Sequence, residues 1–292
     1  FYRSLNFLMV LQNDWQQFIQ VSVSMTTVSS IINEMETMKE IKAATPFRTF
    51  KQENKIKKLF FAYGSQVVLN EIDVLIPKNK TVALVGESGS GKTTLANIVS
   101  GLIQPNKGEV LIDNFPLKDI DLNSYRDHIG YISQEPVIFN DNIFNNITFW
   151  AEPNKKNTRR FWEIIELASL KDFLMNLAEK ELTPLGDNGM LISGGQKQRI
   201  SIARELYKDA QILILDEATS ALDSETERVI QDNIDNLRGK FTILIIAHRL
   251  STIKNADIIY LLEKGKVLAH GDFDNMLSQS QRFKRMVSLQ EM

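Results

Sequence analysis

The sequence predicts an α/β fold built on a mostly parallel sheet, with an antiparallel β subdomain and a helical subdomain, preceded by a long N-terminal helix. Three observations lead there. Apolar strand-like runs at 81–85, 212–215 and 241–247 alternate with helical stretches, the pattern of a parallel sheet with crossover helices. The first of these runs, Thr81-Val82-Ala83-Leu84-Val85, passes through a glycine-rich stretch directly into a second helical run, Thr94 to Val99. Residues 1 to about 43 contain no Gly and no Pro, and their apolar side chains recur at loosely helical spacing.

Composition narrows the class without deciding it. The chain has 292 residues, enough for one large domain or two modest ones. Hydrophobic residues make up 43% and charged residues 24%, as in ordinary globular proteins. A formal net charge of −2 gives no support to nucleic acid as a partner. The absence of cysteine excludes disulfides and thiolate metal sites. No stretch is apolar enough, over enough residues, to form a complete transmembrane helix. The chain starts at Phe1, which leaves room for an upstream region.

Taken in order, residues 1–43 would form a helix about 60 Å long at 1.5 Å per residue. Phe7 to Leu11 is densely apolar, Gln12 to Gln20 is mixed, and Ser22, Ser24, Thr26, Thr27, Ser29 and Ser30 are small polar residues of the kind that let membrane helices pack closely. Two readings stay open on these residues: the inner end of a membrane helix continuing into the cytoplasm, or an amphipathic helix packing on its own domain or on a twin. Pro46 opens a linker over 46–54. The runs 56–61, 67–69 and 72–76 are too closely spaced for crossover helices, so an antiparallel sheet is expected. Strands are expected at 108–113 and 129–133, and a helical subdomain at about 140–207. Within it, Ser193 can cap a helix running to about Tyr207. A buried strand 212–215 ends at Asp216-Glu217, a helix spans 224–237, and a strand 241–247 ends at His248. A hairpin turning at Gly265 and an amphipathic helical tail from about Asp272 complete the chain.

The glycine-rich stretch is Gly86-Glu87-Ser88-Gly89-Ser90-Gly91-Lys92-Thr93, which fits the phosphate-loop pattern in its strand-to-helix context. Its glycines let the backbone turn tightly and aim N–H groups at an anion, and the helix start adds partial positive charge. Lys92 can reach the β- and γ-phosphates, and the Thr93 hydroxyl can bind Mg2+. The whole loop and the following Thr94 are candidate nucleotide contacts. The fold expectation therefore becomes a P-loop NTPase core. Asp216 and Glu217, at the end of an apolar strand, suit a magnesium ligand and a base that polarises the attacking water.

Several further motifs, in the right order, resemble the nucleotide-binding domains of ABC transporters over about residues 54–292. Ile192-Ser193-Gly194-Gly195-Gln196 is similar to that family's signature motif, with Ile192 where leucine is usual. Asp216 to Asp223 resembles Walker B running into the D-loop, Gln134 the Q-loop glutamine, His248 the switch histidine, and Tyr63 the aromatic residue that stacks on adenine. The resemblance implies that Gln134 contacts Mg2+ and attacking water, that His248 holds the γ-phosphate, and that Ser193, Gly194, Gly195 and Gln196 complete the ATP site of a second, identical subunit. The loop 183–189 is similar to the exporter X-loop, with Asp187 where glutamate is usual. That points to an exporter with a fused transmembrane domain, on the cytoplasmic face of the inner membrane. Residues 1–45 would then be the end of its last transmembrane helix and a cytoplasmic extension, 46–54 a linker, and 55–292 the ATP-binding domain. The start, Phe1 to Leu8 followed by Gln12, is similar to bacterial flippases for lipid-linked oligosaccharides. The expected activity is ATP hydrolysis driving export or flipping. The alternatives are a soluble ABC ATPase outside transport, or an ATP-dependent interaction module without turnover.

Overall fold

The computed structural model describes residues 2–37, 45–216, 224–247 and 249–290. The chain divides into two compact units, 1–42 and 43–292. In the first, a single helix Tyr2–Thr37 accounts for the described residues. The Gly- and Pro-free sequence lets it run uninterrupted for 36 residues. Hydroxyls on its second half bond back to the preceding turn: Ser24 to Gln20 O, Thr26 and Thr27 to Val23 O, Ser30 to Thr27 O. This satisfies small polar side chains within the helix itself. Trp15 and Phe18 stack at 5.9 Å, and the apolar side chains along the helix are exposed. No described helix is long and apolar enough to cross a membrane.

The second unit is built on a six-stranded sheet. From one edge its strands are Lys266–Gly271, Ile258–Glu263, Thr81–Val85, Thr242–Ile246, Ile212–Asp216 and Ile129–Ile132. Every neighbouring pair is parallel except the edge hairpin Ile258–Glu263 with Lys266–Gly271. The central strands are buried along their whole length, which explains their near-continuous aliphatic sequence. Alternation then divides the core in two. Ala83, Val85, Leu213, Leu215, Ile243 and Ile245 face one cluster with the helical part, while Val82, Leu84, Ile212, Ile214, Leu244 and Ile246 face the other.

The second face is covered by an antiparallel sheet and by the helix Lys92–Val99. The sheet orders Gln66–Pro77, Glu53–Tyr63, Lys107–Ile112 and Phe115–Pro116. The three short runs read from the sequence are here two long strands joined as a hairpin. Register shifts between Ile56 and Leu59, Leu59 and Phe61, and Phe61 and Ala62 break the alternation, and Lys58 and Glu71 stand at positive φ. The stretch 46–54 belongs to this packing: Phe50 is fully buried, and the Phe50 N–H donates to Gln211 Oε1 at 2.7 Å.

The helical part carries Ile143–Thr148, Lys155–Leu167 and Lys171–Met175 before the helix Gly194–Tyr207. Asn142, Asn154 and Ser193 each cap a helix start by accepting from the backbone N–H three residues on. At Ser193 the capping box is complete, because Gln196 Oε1 accepts the Ser193 N–H at 2.8 Å. Helices Phe273–Gln279 and Gln281–Gln290 form the tail, anchored by Phe283 and Val287 in the first cluster.

Candidate nucleotide-binding site

Parallel register brings the carboxyl ends of four strands to one edge. Ile246 aligns with both Leu84 and Asp216, and Ile132 with Leu215. The loop after Val85, the side chain of Asp216 and the segment containing Gln134 therefore leave the sheet together, where ligands of open α/β sheets bind. Glu217 and His248 continue two of these strands in sequence and lie outside the described residues.

The phosphate loop is shaped by its contacts. Lys92 is buried, and its Nζ donates to Gly86 O at 2.8 Å and Glu87 O at 2.9 Å, folding the loop around the ammonium. The Ser90 N–H also donates to Glu87 O. Gly91 precedes the helix at φ 101°, and no side chain caps the helix start. A Cβ at Gly91 would sit 2.5 Å from Leu69 Cδ2, so neither the angle nor the space admits another residue. Glu87, Ser88, Gly89 and Thr93 are exposed, Thr94 is half-buried, and Gly86, Ser90 and Gly91 are buried. The Ser90 hydroxyl is buried without a hydrogen-bond partner.

Two brackets hold this loop from outside. The Gly265 N–H, at the hairpin turn, donates to Ser90 O at 3.2 Å, while Gly265 O accepts the Asn70 N–H at 2.8 Å. A Cβ on Gly265 would meet Val68 O at 2.2 Å. On the tail, Arg282 reaches Glu87 Oε1 at 2.8 Å and Glu263 Oε1 at 2.5 Å.

Asp216 is the meeting point of three elements. The Thr93 hydroxyl donates to Asp216 Oδ1 at 3.4 Å, and the Tyr131 hydroxyl to Oδ2 at 3.0 Å. Burial, then the adjacent Asp216 carboxylate, push the Tyr131 phenol well above its ordinary value, so it stays a donor. The Thr93 hydroxyl and the Asp216 carboxylate offer oxygen donors of the kind a hard divalent cation takes. The residues present fit Mg2+. Gln134 itself is exposed, just past the strand Ile129–Ile132.

Tyr63 is exposed at the end of its strand, and its ring and that of Phe61 meet at right angles, 4.7 Å apart. Ser193 and Gly194 are exposed at the start of their helix, Gly195 is buried and Gln196 half-buried. Farther along that helix, Arg204 is buried and donates to Asn146 O at 2.7 Å, Val137 O at 2.8 Å and Asn146 Oδ1 at 3.2 Å. Its guanidinium also lies over Phe139 and Phe149. The segment after Gln134 and the helix begun by Ser193 thus share one buried cation.

Sequence reasoning did not single out Tyr131, Arg204, Gly265 in this bracing role, or Arg282. Only Tyr131 left a signal: it precedes Gln134 by three residues on a strand beside the one ending in Asp216.

A family model described as ABC transporter matches residues 69–220. The chain belongs to the ABC transporter family. It carries the ATP-binding ATPase domain of that family, and the α/β fold, antiparallel subdomain, helical part and long N-terminal helix accord with it. An ATP-dependent lipid A-core flippase of Cupriavidus pinatubonensis is 46% identical over 219 residues, covering 75% of this ABC chain and 37% of that protein. The leptomycin B resistance protein pmd1 of Schizosaccharomyces pombe is 37% identical over 281 residues, covering 91% of this chain and 21% of that protein. A solved bacterial Atm1-family ABC exporter with ATP bound superposes with a TM-score of 0.82 at 29% identity, over 93% of this chain and 48% of its own. The chain spans less than half the length of these relatives.

Proposed function

We propose that residues 55–292 bind ATP with Mg2+, hydrolyse it as half of a two-subunit site, and so power export or flipping of a substrate across a membrane. The observation that carries this reading is the convergence of the Lys92 loop with Thr93, Tyr131 and Asp216 at one sheet edge. Tyr63 would stack on adenine. Loop N–H groups and Lys92 would hold the phosphates. Thr93, Asp216 and Gln134 would hold Mg2+, which when bound supplies charge neutralisation at the phosphate oxygens. Glu217 would take a proton from the water attacking the γ-phosphorus, and His248 would hydrogen-bond the γ-phosphate. Ser193, Gly194, Gly195 and Gln196 would close the site of a partner subunit, where the partial positive charge of a helix start favours an anion.

The lipid A-core flippases among the relatives suggest an amphipathic, lipid-linked glycan as cargo. On this reading the ATPase domain works at the cytoplasmic face of the inner membrane, joined to a transmembrane domain. Residues 1–45 would be the end of its last membrane helix and a cytoplasmic extension. The unbroken helix with exposed apolar side chains supports that assignment.

Phosphate release by the chain and by its Glu217→Gln variant tests the chemistry; equal rates would remove Glu217 as the base. The rate per chain should rise with protein concentration, because each site needs Ser193 of the partner subunit. A rate independent of concentration in a demonstrated monomer would remove the shared site.

A further inference from the structure

The tail helix Gln281–Gln290 buries Phe283 and Val287 in the core, and Phe283 meets Phe273 edge-on at 5.6 Å. That seating fixes the side of the helix from which Arg282 extends. The guanidinium uses Nη2 for Glu87 and Nη1 for Glu263, so one side chain spans the phosphate loop and the neighbouring strand Ile258–Glu263. Behind this span lies a cavity of 80 Å3 lined by the loop residues Gly86 to Ser90, Leu261 to Lys264, Arg282 and Met286.

Glu87 is the loop's own anion. Its carbonyl already accepts from Lys92 Nζ and the Ser90 N–H, so its backbone sits in the shell that cradles phosphate. A carboxylate at that place repels the phosphates of an incoming nucleotide unless a cation neutralises it. Lys92 donates to the Gly86 and Glu87 backbone carbonyls, and Arg282 forms an ion pair with the Glu87 side chain. Forked guanidinium geometry lets Arg282 hold two carboxylates at once, which a lysine could not do as well.

We propose that Arg282 is a positioning residue for the phosphate loop, through which the C-terminal helix neutralises Glu87 and sets the affinity for ATP. The proposal rests on the phosphate-loop reading above and goes beyond it by making the tail part of nucleotide recognition. As an exposed pair, Arg282–Glu87 adds little to folding stability. Its effect belongs to ligand binding, where the unbalanced charge meets a polyanion.

The test is a double-mutant cycle on the 292-residue chain, read by titration with a fluorescent ATP analogue and by KM and kcat for ATP. Arg282→Ala is expected to weaken nucleotide binding and raise KM about three- to fivefold at low ionic strength, with kcat near that of the parent chain. Arg282→Lys should recover part of the loss. In the Glu87→Gln background, Arg282→Ala should change affinity less than twofold, because the charge it balances is gone. In 0.5 M salt, a condition chosen for about a 4 Å screening length, the effect of Arg282→Ala should shrink. Equal effects of Arg282→Ala with and without Glu87→Gln would overturn the proposal. So would a fall in kcat or melting temperature with nucleotide affinity unchanged. A parent chain that binds no ATP would instead overturn the function proposed above, which keeps the two failures distinct.

Discussion

Replacing Arg204 with methionine tests how firmly the helical part is tied to the strand end that carries Gln134. Arg204 is 6% exposed and makes three hydrogen bonds, two to Asn146 and one to Val137, beneath the rings of Phe139 and Phe149. Hydrogen bonds from a charged donor contribute about 1.5–3 kcal/mol each, and each cation–π contact about 0.5–2 kcal/mol. Simple addition would overstate the loss. Methionine fills apolar volume of similar length, the burial cost of the guanidinium is recovered, and neighbouring contacts are not additive. A net destabilisation of about 3–5 kcal/mol is expected, against about 5–15 kcal/mol for a typical domain. For a domain of this size that lowers the melting temperature by roughly 6–20 °C. Urea unfolding measures the loss, and hydrogen exchange locates it, with amides from Phe139 to Phe149 opening first. A change below about 1 kcal/mol with unchanged exchange over that segment would refute the reasoning, because Arg204 would then be replaceable by apolar packing alone.

Three further outcomes follow from the same geometry. Gly91→Ala should abolish measurable ATP binding while the far-ultraviolet circular dichroism is retained, because the left-handed angle costs roughly 1–3 kcal/mol and the new Cβ overlaps Leu69; an unchanged affinity would contradict it. Tyr131→Phe removes the donor to Asp216 Oδ2 and should raise the Mg2+ concentration for half-maximal turnover about threefold or more, with weaker Mn2+ binding and unaltered metal-free ATP affinity; an unshifted metal dependence would count against it. At Asp257, burial pulls the carboxyl up, but the Lys80 side chain and the Thr81 N–H together pull it farther down. A lowered folded value means its stabilisation is complete above the ordinary 3.8 and is lost as pH falls below it. Asp257→Asn should therefore flatten the acid limb of stability against pH, measured as urea midpoints, and parallel limbs would show that another group governs it.

Much of this arrangement could be read from the sequence because the informative signals are local. The phosphate loop, the aliphatic strand before it, and the Ser193 cap with Gln196 three residues on are short-range patterns whose geometry follows from neighbouring residues. The helix Ser224–Leu237 has the bounds expected from the sequence. What escaped is long-range or irregular. Arg282 and Glu87 are 195 positions apart, and nothing near either in sequence marks the other. Tyr131 meets Asp216 only because two strands align with Tyr131 opposite Ile214. The long antiparallel hairpin looked like three short runs because its bulges interrupt a strict two-residue period. Phe50, in a stretch expected as a linker, is buried in a cluster that draws residues from both sheets.

The turn at Gly265 has the sequence of any tight hairpin connection, yet its amide and carbonyl join Ser90 on one side to Asn70 on the other. The same residue therefore belongs mechanically to the phosphate loop, the antiparallel sheet and the edge hairpin at once. In a saturation screen scored by ATP binding, substitutions at this position would cluster with those of the ligand pocket, although no side chain exists there to touch a ligand. Sensitivity to mutation on such a map would trace the bracing of the loop as well as its contacts, and would extend the apparent binding site to the far side of the sheet edge.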